Sequence, residues 1–95
     1  MRDYEMVMII SPEVADDDVA GVIDKVSEFI TSRGGEIVQV DRWGKRKLAY
    51  PIDRFREGNY VVSRFKFEAG MTKELEADLK ISENVLRHMV VRLGD

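Results

Sequence analysis

The sequence predicts an α+β fold, a four-stranded antiparallel sheet with two helices packed on one face. Three observations predict it. Four segments carry apolar residues in strand-like patterns, and two carry them at helical spacing. The segments follow one another as strand, helix, strand, strand, helix, strand. Two helices cannot cover both faces of so small a sheet, so they pack together on one of them.

Residues 2–10 alternate as a strand. Tyr4, Met6, Met8 and Ile10 form a purely apolar or aromatic set that belongs on the core side. The outward set is Asp3, Glu5, Val7 and Ile9, charged at one end and apolar at the other. Ser11-Pro12-Glu13 ends the strand, because proline has no amide to donate. Residues 16–33 place Val19, Val22, Ile23, Val26, Phe29 and Ile30 on one helical stripe. Asp16, Asp17 and Asp18 complement the dipole at its start and are expected to cap free amides. Three consecutive helical positions fan over most of a turn, so this triplet does not converge on a metal ion. Arg33 and Gly34-Gly35 end the helix.

Residues 36–43 form a second strand, whose alternation slips between Ile37 and Val40 and so predicts a bulge. Residues 44–57 hold Leu48-Ala49-Tyr50-Pro51-Ile52, and Pro51 makes them a sheet edge or an extended loop. Residues 59–68 form a third strand. Val61, Ser63, Phe65 and Phe67 face one way, and Tyr60, Val62, Arg64, Lys66 and Glu68 the other. Gly70 and Thr72 introduce a short helix to about Ile81, with Thr72 as N-cap and Met71, Leu75 and Leu79 as its stripe. Residues 85–93 form the last strand, and its parity is ambiguous. Val85, Met89, Val91 and Leu93 share a face with Arg87; Leu86 and Val90 share the other with His88 and Arg92.

This order gives a two-layer sandwich of the ferredoxin-like kind. The helices cover the face carrying Tyr4, Met6, Met8, Val61, Phe65 and Phe67, and the opposite face is left open. In this topology the first and third strands are central neighbours. Their outward residues include Val7, Ile9, Tyr60 and Val62, and the last strand adds either Met89 and Val91 or Leu86 and Val90. A solvated sheet face is polar at such positions. A contiguous apolar patch there marks a contact surface, with Val7, Ile9, Tyr60, Val62, Met89 and Val91 as its candidate residues.

The chain has 95 residues, enough for one domain, 1–95, with one small core. Apolar residues make up 44% and charged residues 35%, the balance of a globular chain rather than a disordered one. There are no cysteines and one histidine, His88. That excludes a disulfide framework, a thiolate metal site and a cysteine nucleophile, and no metal or other cofactor is expected. The apolar run Met6–Ile10 is too short for a signal peptide or a membrane span, so a cytoplasmic protein with no membrane contact is expected.

Charge is unevenly distributed. The net charge is −3, yet Arg42, Lys45, Arg46, Lys47, Arg54 and Arg56 stand against Asp53 alone between residues 42 and 56. That segment carries +5 and the rest of the chain −8. Electrostatic attraction is local, screened beyond about 10 Å, so such a segment can hold a polyanion on an acidic protein.

Catalysis finds little support. His88 has no nucleophile beside it in the sequence pattern, and Asn59 and Asn84 lack any phosphate-cradling loop. Gly34-Gly35 follows a helix instead of opening one, so it is a stop signal. No small-molecule substrate is expected. RNA-recognition domains share this strand order and stack bases on aromatics of the open face. On the third strand only Tyr60 points outward, too few for such a platform. RNA, if bound, is expected to be held through phosphates and shape by arginine and lysine.

Gly44-Lys45-Arg46-Lys47-Leu48-Ala49-Tyr50-Pro51-Ile52, followed by Gly58 and Tyr60, resembles the signature of the bacterial small-subunit ribosomal protein number six family. The opening Met1-Arg2-Asp3-Tyr4-Glu5 and the closing Asn84-Val85-Leu86-Arg87-His88-Met89-Val90-Val91-Arg92 resemble that family's ends. The resemblance covers essentially the whole chain. It implies a ferredoxin-like fold and a non-catalytic role in the small ribosomal subunit. It also implies pairing with small-subunit protein eighteen and joint binding to the central domain of the small-subunit ribosomal RNA. By similarity, Arg2, Arg46, Lys47, Arg87 and Arg92 are candidate RNA-facing residues, and Lys45, Arg54 and Arg56 of the basic segment complete the set. Many members carry a charged C-terminal tail, whereas this sequence stops at Asp95. The competing reading is a self-associating regulatory module, two open faces packed together.

Overall fold

A computed structural model describes residues 1–94; Asp95 lies outside them. The chain runs β1 (Arg2–Ile10), α1 (Asp16–Ser32), β2 (Glu36–Ile52), β3 (Phe55–Phe67), a 3-10 turn (Ala69–Met71), α2 (Thr72–Ile81) and β4 (Val85–Leu93). The sheet order is β2-β3-β1-β4, all neighbours antiparallel. This is the expected ferredoxin-like sandwich, with β1 and β3 central and β2 and β4 at the edges.

The core follows the alternation. Tyr4, Met6, Met8 and Ile10 of β1 and Val61, Phe65 and Phe67 of β3 are buried with Val19, Ile23, Val26 and Ile30 of α1 and Leu75 and Leu79 of α2. Tyr4 lies directly opposite Phe65, and their rings stack with centroids 5.7 Å apart. Phe67 meets Phe65 edge-on at 6.0 Å. Such pairs add specific geometry to the burial of large apolar area.

The ends of α1 were only half legible. Gly34 adopts φ 86, and the Gly34 and Gly35 amides donate to Thr31 and Ile30 carbonyls, closing the helix. At the start, Ala15 occupies the N-cap, so the three aspartates act on the dipole from the first turn and do not cap. Thr72 is likewise not the N-cap of α2. The turn Ala69–Met71 runs straight into the helix, which puts Met71 at the cap and leaves the Thr72 hydroxyl donating back to the Ala69 carbonyl.

Of the two readings of residues 44–57, the sheet edge holds and the extended loop does not. β2 continues to Ile52 and β3 starts at Phe55, earlier than expected, so the two form a long hairpin arm that projects past the end of β1. Asp53 and Arg54 make its tip, with Asp53 at φ 54, a left-handed conformation that aspartate tolerates. Pro51 fits because β2 is an edge strand, as its presence implied.

Three irregularities bend β2 against β3. Ile37 pairs with Phe65 and Gln39 with Arg64, so Val38 has no counterpart, and the expected bulge is present. Arg42 pairs with Val61 and Gly44 with Tyr60, so Trp43 is a second bulge. Between Lys47 opposite Glu57 and Ile52 opposite Phe55, residues Leu48, Ala49, Tyr50 and Pro51 face Arg56 alone. Bulges increase twist and re-aim side chains, and Val38, Trp43 and Tyr50 are all large apolar residues left exposed.

Candidate nucleic-acid and partner interface

Directly opposed residues on neighbouring strands share a face, so the register fixes what the open face presents. One row reads Glu36, Lys66, Asp3, Leu93 and the next Gln39, Arg64, Glu5, Val91. The third is Asp41, Val62, Val7, Met89, and the fourth Gly44, Tyr60, Ile9, Arg87. The first half of the face is ionic, with the Arg64 guanidinium 3.3 Å from a Glu5 carboxylate oxygen. The second half is apolar on the two central strands, at Val62, Val7, Tyr60 and Ile9, with Asp41 and Arg87 on the edge strands. The face therefore has a polar rim along one side and an apolar centre, the usual anatomy of a protein contact.

The parity of β4 is resolved by this register. Met89 and Val91 point to the open face and are exposed, while Val90 packs against the core. Val85 departs from simple alternation. The pairing slips between Ile9 and Ile10, so Val85 comes opposite Ile10 and joins the core beside Val90. Val7, Tyr60 and Val62 are half-buried. Ile9 points to the open face as expected, but it is only 7% exposed and offers a partner little surface. The reason is the arm. Gly58 at its root lies against Ile9, where an added Cβ would stand 2.5 Å from Ile9 Cγ2. A shallow depression of about 160 Å³ remains beside it, lined by Val7, Ile9, Arg87, His88 and Met89.

The arm is pinned at two points. Its tip is tied to the β1–α1 connection by an Arg54–Glu13 ion pair of 3.1 Å. Its wide bulge reaches the far edge of the sheet, where Arg87 of β4 donates to the Tyr50 hydroxyl and stands 5.7 Å from the ring centroid. Leu48 is buried and lies outside the main core cluster. The root is fixed by Asn59, whose side-chain amide donates to the Ser11 carbonyl, while the Ser11 amide donates to the Asn84 carbonyl. Asn59 thus lies buried within β3.

The candidate RNA-facing residues are all exposed but do not form one patch. Lys45, Arg46, Lys47, Arg54 and Arg56 belong to the arm, and Arg87 joins them through Tyr50. Arg46 lies opposite Gly58 and so projects on the open-face side, whereas Lys45 and Lys47 project on the other. Arg2 and Arg92 sit at the other end of the sheet. Arg92 lies opposite Tyr4, and Arg2 opposite Phe67, so both start from the helix-side face. A nine-residue strand separates the two groups by about 27 Å. A concavity of about 720 Å³ lies between α1 and α2, beside Asp17, Asp18, Lys25 and Asp78, and Glu13, the partner of Arg54, lines its margin.

Sequence reasoning overlooked two aromatics. It tested β3 for outward rings and found Tyr60 alone, but Trp43 and Tyr50 on β2 are 52% and 57% exposed. Both fall where the ladder slips, and Trp43 precedes Gly44, a glycine inside a strand pattern that can signal a bulge. The Arg46 guanidinium stands 5.7 Å from the Trp43 ring centroid, and Arg54 stands 4.6 Å from that of Phe55. Among the described residues no group of acidic and histidine side chains could hold a metal ion. Among the same residues no helix is long and apolar enough to cross a membrane.

The family model for ribosomal protein S6 matches residues 3–92. A small ribosomal subunit protein bS6 from Desulforamulus reducens is 40% identical over 95 residues, covering all of both chains. The bS6 of Clostridioides difficile is 46% identical over 91 residues, 96% of this chain and 98% of that one. Among solved structures, 30S ribosomal protein S6 from Thermotoga maritima superposes with a TM-score of 0.92 at 33% identity, covering 97% of this chain and 87% of that one. With signature, strand order and full-length similarity in agreement, the chain belongs to the bacterial ribosomal protein S6 family.

Proposed function

We propose that the protein is a non-catalytic constituent of the small ribosomal subunit that binds the central domain of small-subunit ribosomal RNA jointly with small-subunit protein eighteen. Its place of action is the cytoplasmic ribosome. The observation that carries this reading is the row Tyr60, Ile9, Arg87, which joins the apolar half of the open face to the basic arm. A protein docked on Val7, Val62 and Met89 would therefore lie beside the cations that draw in RNA. Burial of this face supplies apolar area at the centre of a contact, and the arm supplies charge at its margin.

The test is capture of the tagged chain from a lysate of its own source. Protein eighteen and small-subunit ribosomal RNA are expected to come with it, identified by mass spectrometry and sequencing, and the isolated chain is expected to sediment as a monomer. A chain that sediments as a dimer and retains neither would favour the self-associating module instead.

A further inference from the structure

We propose that Trp43 is a stacking platform for an unpaired RNA base, with Arg46 beside it to hold the adjoining phosphate. This deepens the ribosomal RNA-binding reading above and rests on it. Trp43 is the residue left over where the β2–β3 register slips between Arg42 and Gly44. The slip is built into the backbone, since Gly44 adopts φ 80, a conformation that favours glycine. A bulge of this kind re-aims a side chain out of the ladder. Here it leaves the largest apolar side chain half in water on the most basic stretch of the molecule.

The surroundings decide what the ring can meet. The Arg46 Nε–H donates to the Trp43 carbonyl at 3.3 Å, which fixes the guanidinium at the margin of the indole. Arg42, Lys45 and Lys47 adjoin the pair in sequence but start from the other face of β2, so Arg46 is the cation beside the ring, within a segment of net charge +5 that draws in an anion. It must also bring an apolar plane, or the exposed indole gains nothing. A nucleotide has both properties. A base inside a duplex has its faces covered by its neighbours, so the ring selects a base in a loop, bulge or single strand. Base–aromatic stacking is tolerant of sequence because every base has a π-face, so the platform prefers unpaired over paired RNA and not one base over another.

Trp43 is the chain's one tryptophan, which makes its emission a direct reporter. The full chain is titrated with a single-stranded oligoadenylate and with an RNA duplex of equal phosphate number, following emission and, separately, anisotropy of labelled RNA. The experiment is repeated with protein eighteen and a central-domain RNA fragment, using fluorotryptophan incorporated in this chain alone. The single strand and the central-domain fragment are expected to perturb Trp43 strongly and the duplex weakly. Trp43→Leu is expected to lower single-strand affinity about tenfold with little change for the duplex, and Trp43→Phe to restore most of it. RNA binding with an unmoved Trp43 signal, or equal weakening for single strand and duplex in Trp43→Leu, overturns the stacking site and leaves the RNA-binding reading standing. A Trp43 signal that answers protein eighteen and not RNA makes the ring a protein contact and also overturns it. No RNA binding by the chain or the pair removes both readings together.

Discussion

Arg87 and Tyr50 stand on opposite edge strands of the sheet, yet the Arg87 guanidinium donates a hydrogen bond to the Tyr50 hydroxyl. Edge strands in a four-stranded sheet are about 14 Å apart, so the contact exists only because the arm bends across the end of β1. Both side chains are exposed. Exposed contacts of this kind contribute little to global stability but can hold a projecting segment in place. Tyr50→Phe and Arg87→Ala are each expected to lower stability by less than about 1 kcal/mol. Amide exchange between residues 46 and 57 is expected to quicken in both, with exchange in β1 and α1 unchanged. Hydrogen-exchange mass spectrometry reads this directly, and unaltered arm exchange would mean that the Arg54–Glu13 tie suffices alone.

The glycines separate by what stands beside them. Gly58→Ala would place a methyl 2.5 Å from Ile9 Cγ2 and 3.3 Å from the Ile10 carbonyl oxygen, so β1 or the arm must shift. Overpacking of this kind costs about 1–3 kcal/mol. Gly44→Ala meets open space but would hold an L-residue at φ 80, a strain of about 1–2 kcal/mol. Gly21 lies in α1 with nothing near, and Gly21→Ala is expected to stabilise by about 0.5–1 kcal/mol. Denaturant melts of the three variants should rank them Gly58 and Gly44 below the parent chain and Gly21 above it. A stabilised Gly58→Ala would show that the arm does not rest on Ile9.

Much of this architecture was legible in the residues because its signals were periodic. The alternation of Tyr4, Met6, Met8 and Ile10 fixed a core face that the sheet preserves, and the stripe from Val19 to Ile30 did the same for α1. What escaped was aperiodic. β2 carries three irregularities along its length, and each reverses the parity on which alternation depends, so residues 44–57 could be read as a sheet edge or as an extended loop. Val85 escaped for the same reason, since one slip at Ile10 moved it to the core. Burial of Ile9 was invisible because its cover comes from Gly58, which has no side chain to signal a contact. Trp43 was missed because stacking rings were sought on the flat face instead of at the bulges.

The two basic groups make distinguishable contributions to RNA binding. The arm concentrates five cations on residues 45–56, whereas Arg2 and Arg92 lie at the other end of the sheet. Replacing Arg46 and Lys47 together with alanine is expected to weaken RNA binding by the assembled pair. The slope of log affinity against log salt should flatten by about 0.7–0.9 for each phosphate no longer neutralised. Folding should change little, because both side chains are exposed. Replacing Arg2 and Arg92 is expected to alter the slope less. If only that second pair changes it, the RNA runs along the far end of the sheet and the arm serves another purpose.

The docking surface is tested at Val62. Its neighbour Phe65, on the same strand, is fully buried under the helices, whereas Val62 points to the open face beside Val7 and Met89. In the free chain a carboxylate at position 62 meets water, and Asp41 directly opposite adds only a modest, screened repulsion. In a complex the same carboxylate would be stripped of water at the apolar centre, with no cation in its row, and an unpaired buried charge is costly. Val62→Asp is therefore expected to leave the thermal melt nearly intact while abolishing binding of protein eighteen, and RNA recruitment should fall with it. Val7→Asp should behave alike, and Met89→Asp should test the exposed side of the same row. Phe65→Ala is the contrasting change, expected to cost about 3–5 kcal/mol by emptying the core. If Val62→Asp and Val7→Asp both retain full affinity for the partner, the open face is not its seat, and the Leu48–Ile52 bulge of the arm becomes the surface to test next.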